Sequence, residues 1–161
     1  MNDYKYFLDN GIYDFQCGKY SEALENINKS LELKKDWEIP YFYRAAAHQV
    51  LEHFDEAILD YTKALEYNDK MKDAYYNRAR ILLSRKDIEN PDINRAVNDL
   101  KKALELDPNF VDALYAIAAA LKKQEKYQES YSYLENLLKI QPDAIHARAL
   151  KKLLENKYLN P

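Results

Sequence analysis

Ala57-Ile58-Leu59-Asp60-Tyr61-Thr62-Lys63-Ala64-Leu65-Glu66 and Ala96-Val97-Asn98-Asp99-Leu100-Lys101-Lys102-Ala103-Leu104-Glu105 follow one pattern. Apolar residues recur every third or fourth place in both, which marks a helix with one buried face. Weaker copies begin at Ala23 and Ser130, so the pattern starts at residues 23, 57, 96 and 130, in steps of 34, 39 and 34. A second helical pattern precedes each copy. Tyr41-Phe42-Tyr43-Arg44-Ala45 returns as Tyr75-Tyr76-Asn77-Arg78-Ala79 and as Leu114-Tyr115-Ala116-Ile117-Ala118, while Phe7 and Gly11 mark its first occurrence. A short turn holding Tyr20, Phe54, Ile93 or Tyr127 joins the two patterns, and Asp107-Pro108 and Gln141-Pro142 punctuate the unit ends. Proline stops one helix and can open the next. A fixed period of this length means an array of helix–turn–helix units, each unable to bury its apolar face alone.

These residues resemble the tetratricopeptide repeat family over residues 4–144. The resemblance gives four repeats, 4–37, 38–71, 72–110 and 111–144, with a closing helix at about 145–156 and the whole chain forming one domain. The implied fold is all-α, a right-handed superhelical solenoid whose first helices line a concave groove. Two departures are visible. The turn glycine is kept at Gly18 but replaced by Glu52 and Glu125, and the terminal proline gives way to Lys35 and Asp69 in the first two repeats. Ala45, Ala57, Ala64, Ala79, Ala96, Ala103 and Ala118 are expected where helices approach closely, with Tyr41, Tyr61, Tyr75 and Tyr127 filling gaps between them. The closing helix carries an apolar stripe, Ile145, Ala149, Leu150, Leu153 and Leu154, suited to covering the open end of a stack.

Composition excludes other classes. The chain has 161 residues with only 2 glycines but 15 tyrosines. So little glycine argues against barrels, sandwiches and phosphate-cradling loops, which rely on its backbone freedom. A single cysteine, Cys17, can make neither an internal disulfide nor a thiolate cluster, and a small apolar filler role is expected for it. The longest apolar run, Ala113–Leu121, has 9 residues, against the roughly 20 of a membrane span. Met1-Asn2-Asp3-Tyr4-Lys5 lacks the pattern of a signal peptide, which gives the expectation of a cytoplasmic protein without membrane insertion. The net charge of −3 disfavours nucleic acid, which selects a basic face. Residues 111–161 carry a small basic excess and 1–110 an acidic one.

No catalytic constellation, cofactor site or metal site emerges, and no enzymatic activity is expected. His48 and Glu52 share a helix face, but His53 is expected to point elsewhere, and a metal needs three or four converging ligands. The family resemblance places function in the groove, whose floor comprises Leu8, Ile12, Phe42, Tyr43, Ala46, Tyr76, Asn77, Arg80, Tyr115, Ala116 and Ala119. Phe42, Tyr76 and Tyr115 stand at equivalent places and form a ladder of rings, which offer large apolar area with few rotamers to freeze. Some family members grip a peptide's terminal carboxylates with Lys, Asn and Arg from three successive repeats. Those places hold Leu8, Ile12, Tyr43, Asp73 and Asn77 in one frame, and Phe42, Ala46, Asn77, Asp112 and Ala116 in the next. A carboxylate clamp is therefore not expected. The expected function is an adaptor for a protein or peptide partner; the alternative is a scaffold that self-associates, as a homo-oligomer, through the closing helix or the repeat ends. The segment Arg85 to Asp92 lengthens the third repeat's turn, giving that repeat its 5 extra residues, and is read as neutral because loop closure costs little more as length grows.

Overall fold

The computed structural model describes residues 3–85 and 92–159. The described residues are helices joined by short links: α1 (Asp3–Gln16), α2 (Tyr20–Leu33), α3 (Glu38–Val50), α4 (Phe54–Tyr67), α5 (Lys72–Ser84), α6 (Ile93–Leu106), α7 (Val111–Lys123), α8 (Tyr127–Ile140) and α9 (Ile145–Leu154). Beyond α9 the backbone widens into a π-helical turn, Glu155–Leu159. The chain divides into two compact units, Met1–Ile81 and Leu82–Pro161, the division falling within α5.

Three residues suffice to reverse the chain within a repeat, and the backbone shows why. Gly18 N donates to Phe15 O and Lys19 N to Asp14 O, the paired bonds of a helix end that turns through one left-handed residue. Glu52 N to Gln49 O with His53 N to His48 O, and Glu125 N to Lys122 O with Lys126 N to Leu121 O, repeat the arrangement. The left-handed residues are Gly18 at φ 76°, Glu52 at φ 60° and Glu125 at φ 61°. The two glutamates thus hold a glycine conformation. The inserted segment of the third repeat lies mostly outside the described residues; at its end Asp92 caps α6 by accepting a hydrogen bond from Arg95 N at 2.9 Å. Between repeats the chain is extended at Lys34, Asn68 and Asp107.

In the first unit, Leu8, Ala23, Ile27 and Leu31 form one buried cluster, and Ala45, Ala57, Tyr61, Leu65, Ala74 and Ile81 form another. The seven alanines of the repeat pattern are all fully buried. Gly11 takes the same place in α1 and brings it closest to α2: a Cβ there would meet Ile27 Cγ1 at 2.6 Å. Tyrosine fills the wider gaps. Tyr61 is fully buried, Tyr41 stacks on Tyr67 with ring centres 5.7 Å apart, and Tyr127 stacks on Tyr158 at 4.1 Å.

The second unit buries Leu100, Ile117, Leu121, Leu134, Leu137 and Leu154. Ser130 stands where other repeats have alanine, and its buried hydroxyl donates to Ala118 O at 2.7 Å, so no polar group is left unsatisfied there.

Candidate functional site

Within the first unit, α1, α3 and α5 carry the sequence-predicted groove residues. Leu8 does not reach the surface. It is 2% exposed and belongs to the core with Ala23, Ile27 and Leu31, against which Ile12 and Tyr43 are partly buried. Phe42 packs edge-on to Tyr43 at 5.6 Å and to Tyr61 at 5.7 Å. Tyr43 continues the run to Phe15 at 5.9 Å. Phe15, Tyr43, Phe42 and Tyr61 therefore form a chain of perpendicular rings from α1 through α3 to α4, the favoured geometry for aromatic pairs. Ala46 is half-buried and Tyr76 likewise. The exposed Arg80 guanidinium sits 5.6 Å over the Tyr76 ring, a cation–π contact.

Asn77 has an internal role as well. Its side chain hydrogen-bonds the Tyr61 hydroxyl, which donates to Gln49 Oε1 at 2.9 Å. Burial raises the Tyr61 pKa well above the ordinary value, so the hydroxyl stays protonated and keeps its donor. This network fixes the ring on which Phe42 rests. In the second unit, α7 carries Tyr115, which is 37% exposed, with Ala116 and Ala119 both half-buried.

A second polar assembly was not singled out from the sequence. Arg44 makes a two-pronged pair with Asp60, Nε to Oδ2 and Nη2 to Oδ1, each at 2.7 Å. Its remaining nitrogen Nη1 donates to Asn28 Oδ1 at 2.8 Å, so one side chain ties α3 to both α2 and α4. The bond to Asp60 raises the Arg44 pKa, ahead of the opposing effect of burial. The recurrence of arginine at 44 and 78 and of aspartate at 60 and 99, inside otherwise apolar patterns, is the signal that marks such a pair.

Two expectations are corrected. His53 does not point away from His48: their Nδ1 atoms are 3.3 Å apart, because the left-handed Glu52 folds the turn back on α3. Burial lowers the His48 pKa, which favours the neutral ring. Cys17 is exposed rather than filling a gap, since it follows the last residue of α1. Among the described residues no group of three or more His, Cys, Asp or Glu side chains could hold a metal ion, and no helix is long and apolar enough to cross a membrane.

Helix pairs in a repeating register, buried small residues at fixed places and exposed rings on the first helices define an α-helical repeat scaffold. Comparison with known families agrees. Models described as tetratricopeptide repeat match residues 42–90 and 111–144, and one described as TPR repeat matches residues 89–125. The chain belongs to the tetratricopeptide-repeat family. It is 37% identical to mouse sperm-associated antigen 1 over 90 residues, 56% of this chain and 9% of that protein. Over the first curated relatives the match spans only 9–24% of their length. MamA from Desulfovibrio magneticus superimposes with a TM-score of 0.84 at 17% identity, covering 95% of this chain and 84% of that one. The first TPR of Spaghetti (RPAP3) bound to the HSP90 peptide SRMEEVD gives a TM-score of 0.69 at 23% identity, covering 76% of this chain and 94% of that one. The solenoid fold they share is a scaffold for protein–protein contacts.

Proposed function

We propose that the chain is an adaptor that holds a peptide or partner helix against the apolar, aromatic face of its first helices. The observation that carries this reading is the run of perpendicular rings at Phe15, Tyr43, Phe42 and Tyr61. Phe42 and Tyr43 are held in place yet only partly buried, so a partner gains apolar area without freezing new rotamers. Ile12, Ala46 and Tyr76 extend the apolar face, Leu8 supports it from beneath, and Arg80 with Asn77 supplies its polar edge. Tyr115 and Ala119 are the candidate contacts of the second unit. No catalytic role belongs to this reading.

Spaghetti's first TPR was solved with the acidic peptide SRMEEVD. This chain differs in the side chains available for such a peptide. Asp73 and Asp112 stand where the carboxylate-gripping members carry cations, and a carboxylate next to them would be repelled. The adaptor reading therefore excludes acid-tailed peptides.

Pull-down with the wild type and with a Phe42→Ala, Tyr76→Ala, Tyr115→Ala triple variant tests the face, with the folded state of both verified by circular dichroism. Partners recovered by the wild type should be depleted on the triple variant by about tenfold or more, as for loss of interface anchors. Equal recovery would refute the assignment. Tight binding of a fluorescent SRMEEVD peptide to the wild type would refute the exclusion of acidic tails.

A further inference from the structure

In α3, α5, α7 and α9 one helix face is turned toward the preceding helix. Polar rungs identify it: Arg44 reaches Asn28, Arg78 Nη1 donates to Thr62 Oγ1 at 2.9 Å, and Lys151 Nζ lies 3.4 Å from Glu135 Oε1. The residues four before and three after each rung share its face. They are Pro40 and Ala47 in α3 and Ala74 and Ile81 in α5, all buried. In α7, where the apolar Ile117 takes the rung's place, Ala113 and Ala120 are buried as well, as are Ala147 and Leu154 in α9.

The same face of α1 is Tyr6, Asn10 and Tyr13. There the two flanking places are large and open, with Tyr6 59% and Tyr13 63% exposed. α1 adds three aspartates and a single lysine, and Asp3 and Asp9 flank the tyrosines on the exposed surface. The helix thus presents an acidic, aromatic seat at the place where every later first helix receives a neighbour.

α9 shows the converse. In α1 the residues Leu8 and Gly11 face the following helix, packed on Ala23 and Ile27. The matching face of α9 is Ile145, Arg148, Ala149 and Lys152, all exposed, with Ile145 at 72%. α9 carries basic residues and no acidic one. Cations over tyrosine rings recur within each unit, as Lys34 over Tyr4 at 5.2 Å and Lys151 over Tyr131 at 4.8 Å.

We propose that the α1 seat is covered by α9 of a second copy of this chain, Arg148 and Lys152 meeting Tyr6, Tyr13, Asp3 and Asp9. Charge complementarity selects this occupant: the seat is acidic and aromatic, and the unpartnered face of α9 is basic with an apolar residue at its edge. The two surfaces differ, so the contact is head-to-tail and repeats from copy to copy. It is independent of the aromatic groove face, which it leaves free.

Sedimentation velocity on the full chain over a range of concentrations tests this. The wild type should grow past a dimer as concentration rises, and the growth should weaken at high salt because exposed charges are screened. A Tyr6→Ser, Tyr13→Ser variant and an Arg148→Glu, Lys152→Glu variant should each remain monomeric alone. Mixed in equal amounts, they should form a dimer and nothing larger, since one keeps only the tail and the other only the head. An Asp3→Arg, Asp9→Arg variant mixed with the Arg148→Glu, Lys152→Glu variant should likewise associate, and this pairing does not alter the tyrosines. A wild type that stays monomeric throughout would overturn the proposal. Association that either single-face variant leaves intact, or mixtures that stay monomeric, would overturn it too.

Discussion

Gly11→Ala is a test of how closely the first two helices approach. In an open helix interior the change would stabilise by about 1 kcal/mol, the difference in helix propensity. Here the added Cβ would lie 2.6 Å from Ile27 Cγ1 and 3.2 Å from both Ala23 O and Ile27 N. The first contact is with a γ carbon of a fully buried side chain, and the other two are with backbone, so nothing nearby swings away cheaply. Overpacking of this kind costs about 1–3 kcal/mol. The net expectation is a loss of up to about 2 kcal/mol once the propensity gain is subtracted. For a chain of this size that lowers the melting temperature by up to roughly 8 °C, read by circular dichroism. The decisive arm is a double-mutant cycle. In an Ile27→Ala background, itself destabilised by about 2–5 kcal/mol, the shortest contact is removed while the two backbone contacts at 3.2 Å remain, so Gly11→Ala should cost less than it does in the wild type. A Gly11→Ala variant more stable than the wild type, or one that costs as much in the Ile27→Ala background as in the wild type, would refute the reasoning.

The turns and the polar rung give two further expectations. Glu52→Gly and Glu125→Gly should each stabilise by about 0.5–1 kcal/mol, because a left-handed residue with a side chain costs about 1–2 kcal/mol and glycine gives back part of that as chain entropy; urea midpoints below that of the wild type would contradict this. Asp60→Ala should cost about 2–3 kcal/mol by leaving the half-buried Arg44 guanidinium without its two-pronged partner, whereas Lys63→Ala, which removes the exposed Lys63–Glu66 pair, should leave the melting temperature unchanged; equal effects from the two would show that burial of the Arg44–Asp60 pair is not what matters.

The helices and their phase were legible because the signal is repeated. Ala57 or Ala96 alone would say little, but small residues recurring at a fixed step locate the close approaches, and all seven alanines are buried. The turn glutamates were legible for a similar reason: they stand where Gly18 stands, and both take a positive φ. The site was less legible. A one-dimensional register assigns Leu8 to the same floor as Phe42, but it cannot show that Tyr43 and Ile12 close over Leu8 and remove it from the surface. Nor does it show that Asn77 is drawn to the Tyr61 hydroxyl, since the partner is set by the width of the gap between α4 and α5. His53 escapes a periodic reading because a left-handed residue redirects the chain by far more than a helical period allows.

Trp37, the chain's one tryptophan, opens α3 in an extended conformation, φ −154° and ψ 129°. Its half-buried ring lies edge-on to Tyr4 at 5.5 Å, with Lys34 Nζ 5.6 Å from its centre. All three residues belong to the first unit. The protein therefore carries its own optical label on one unit only: emission from the indole follows the loosening of α1 from α3, while total helicity follows both units together. Melting curves from the two signals that coincide mean the units unfold as one. Curves that separate give the order in which they come apart, with no dye and no substitution.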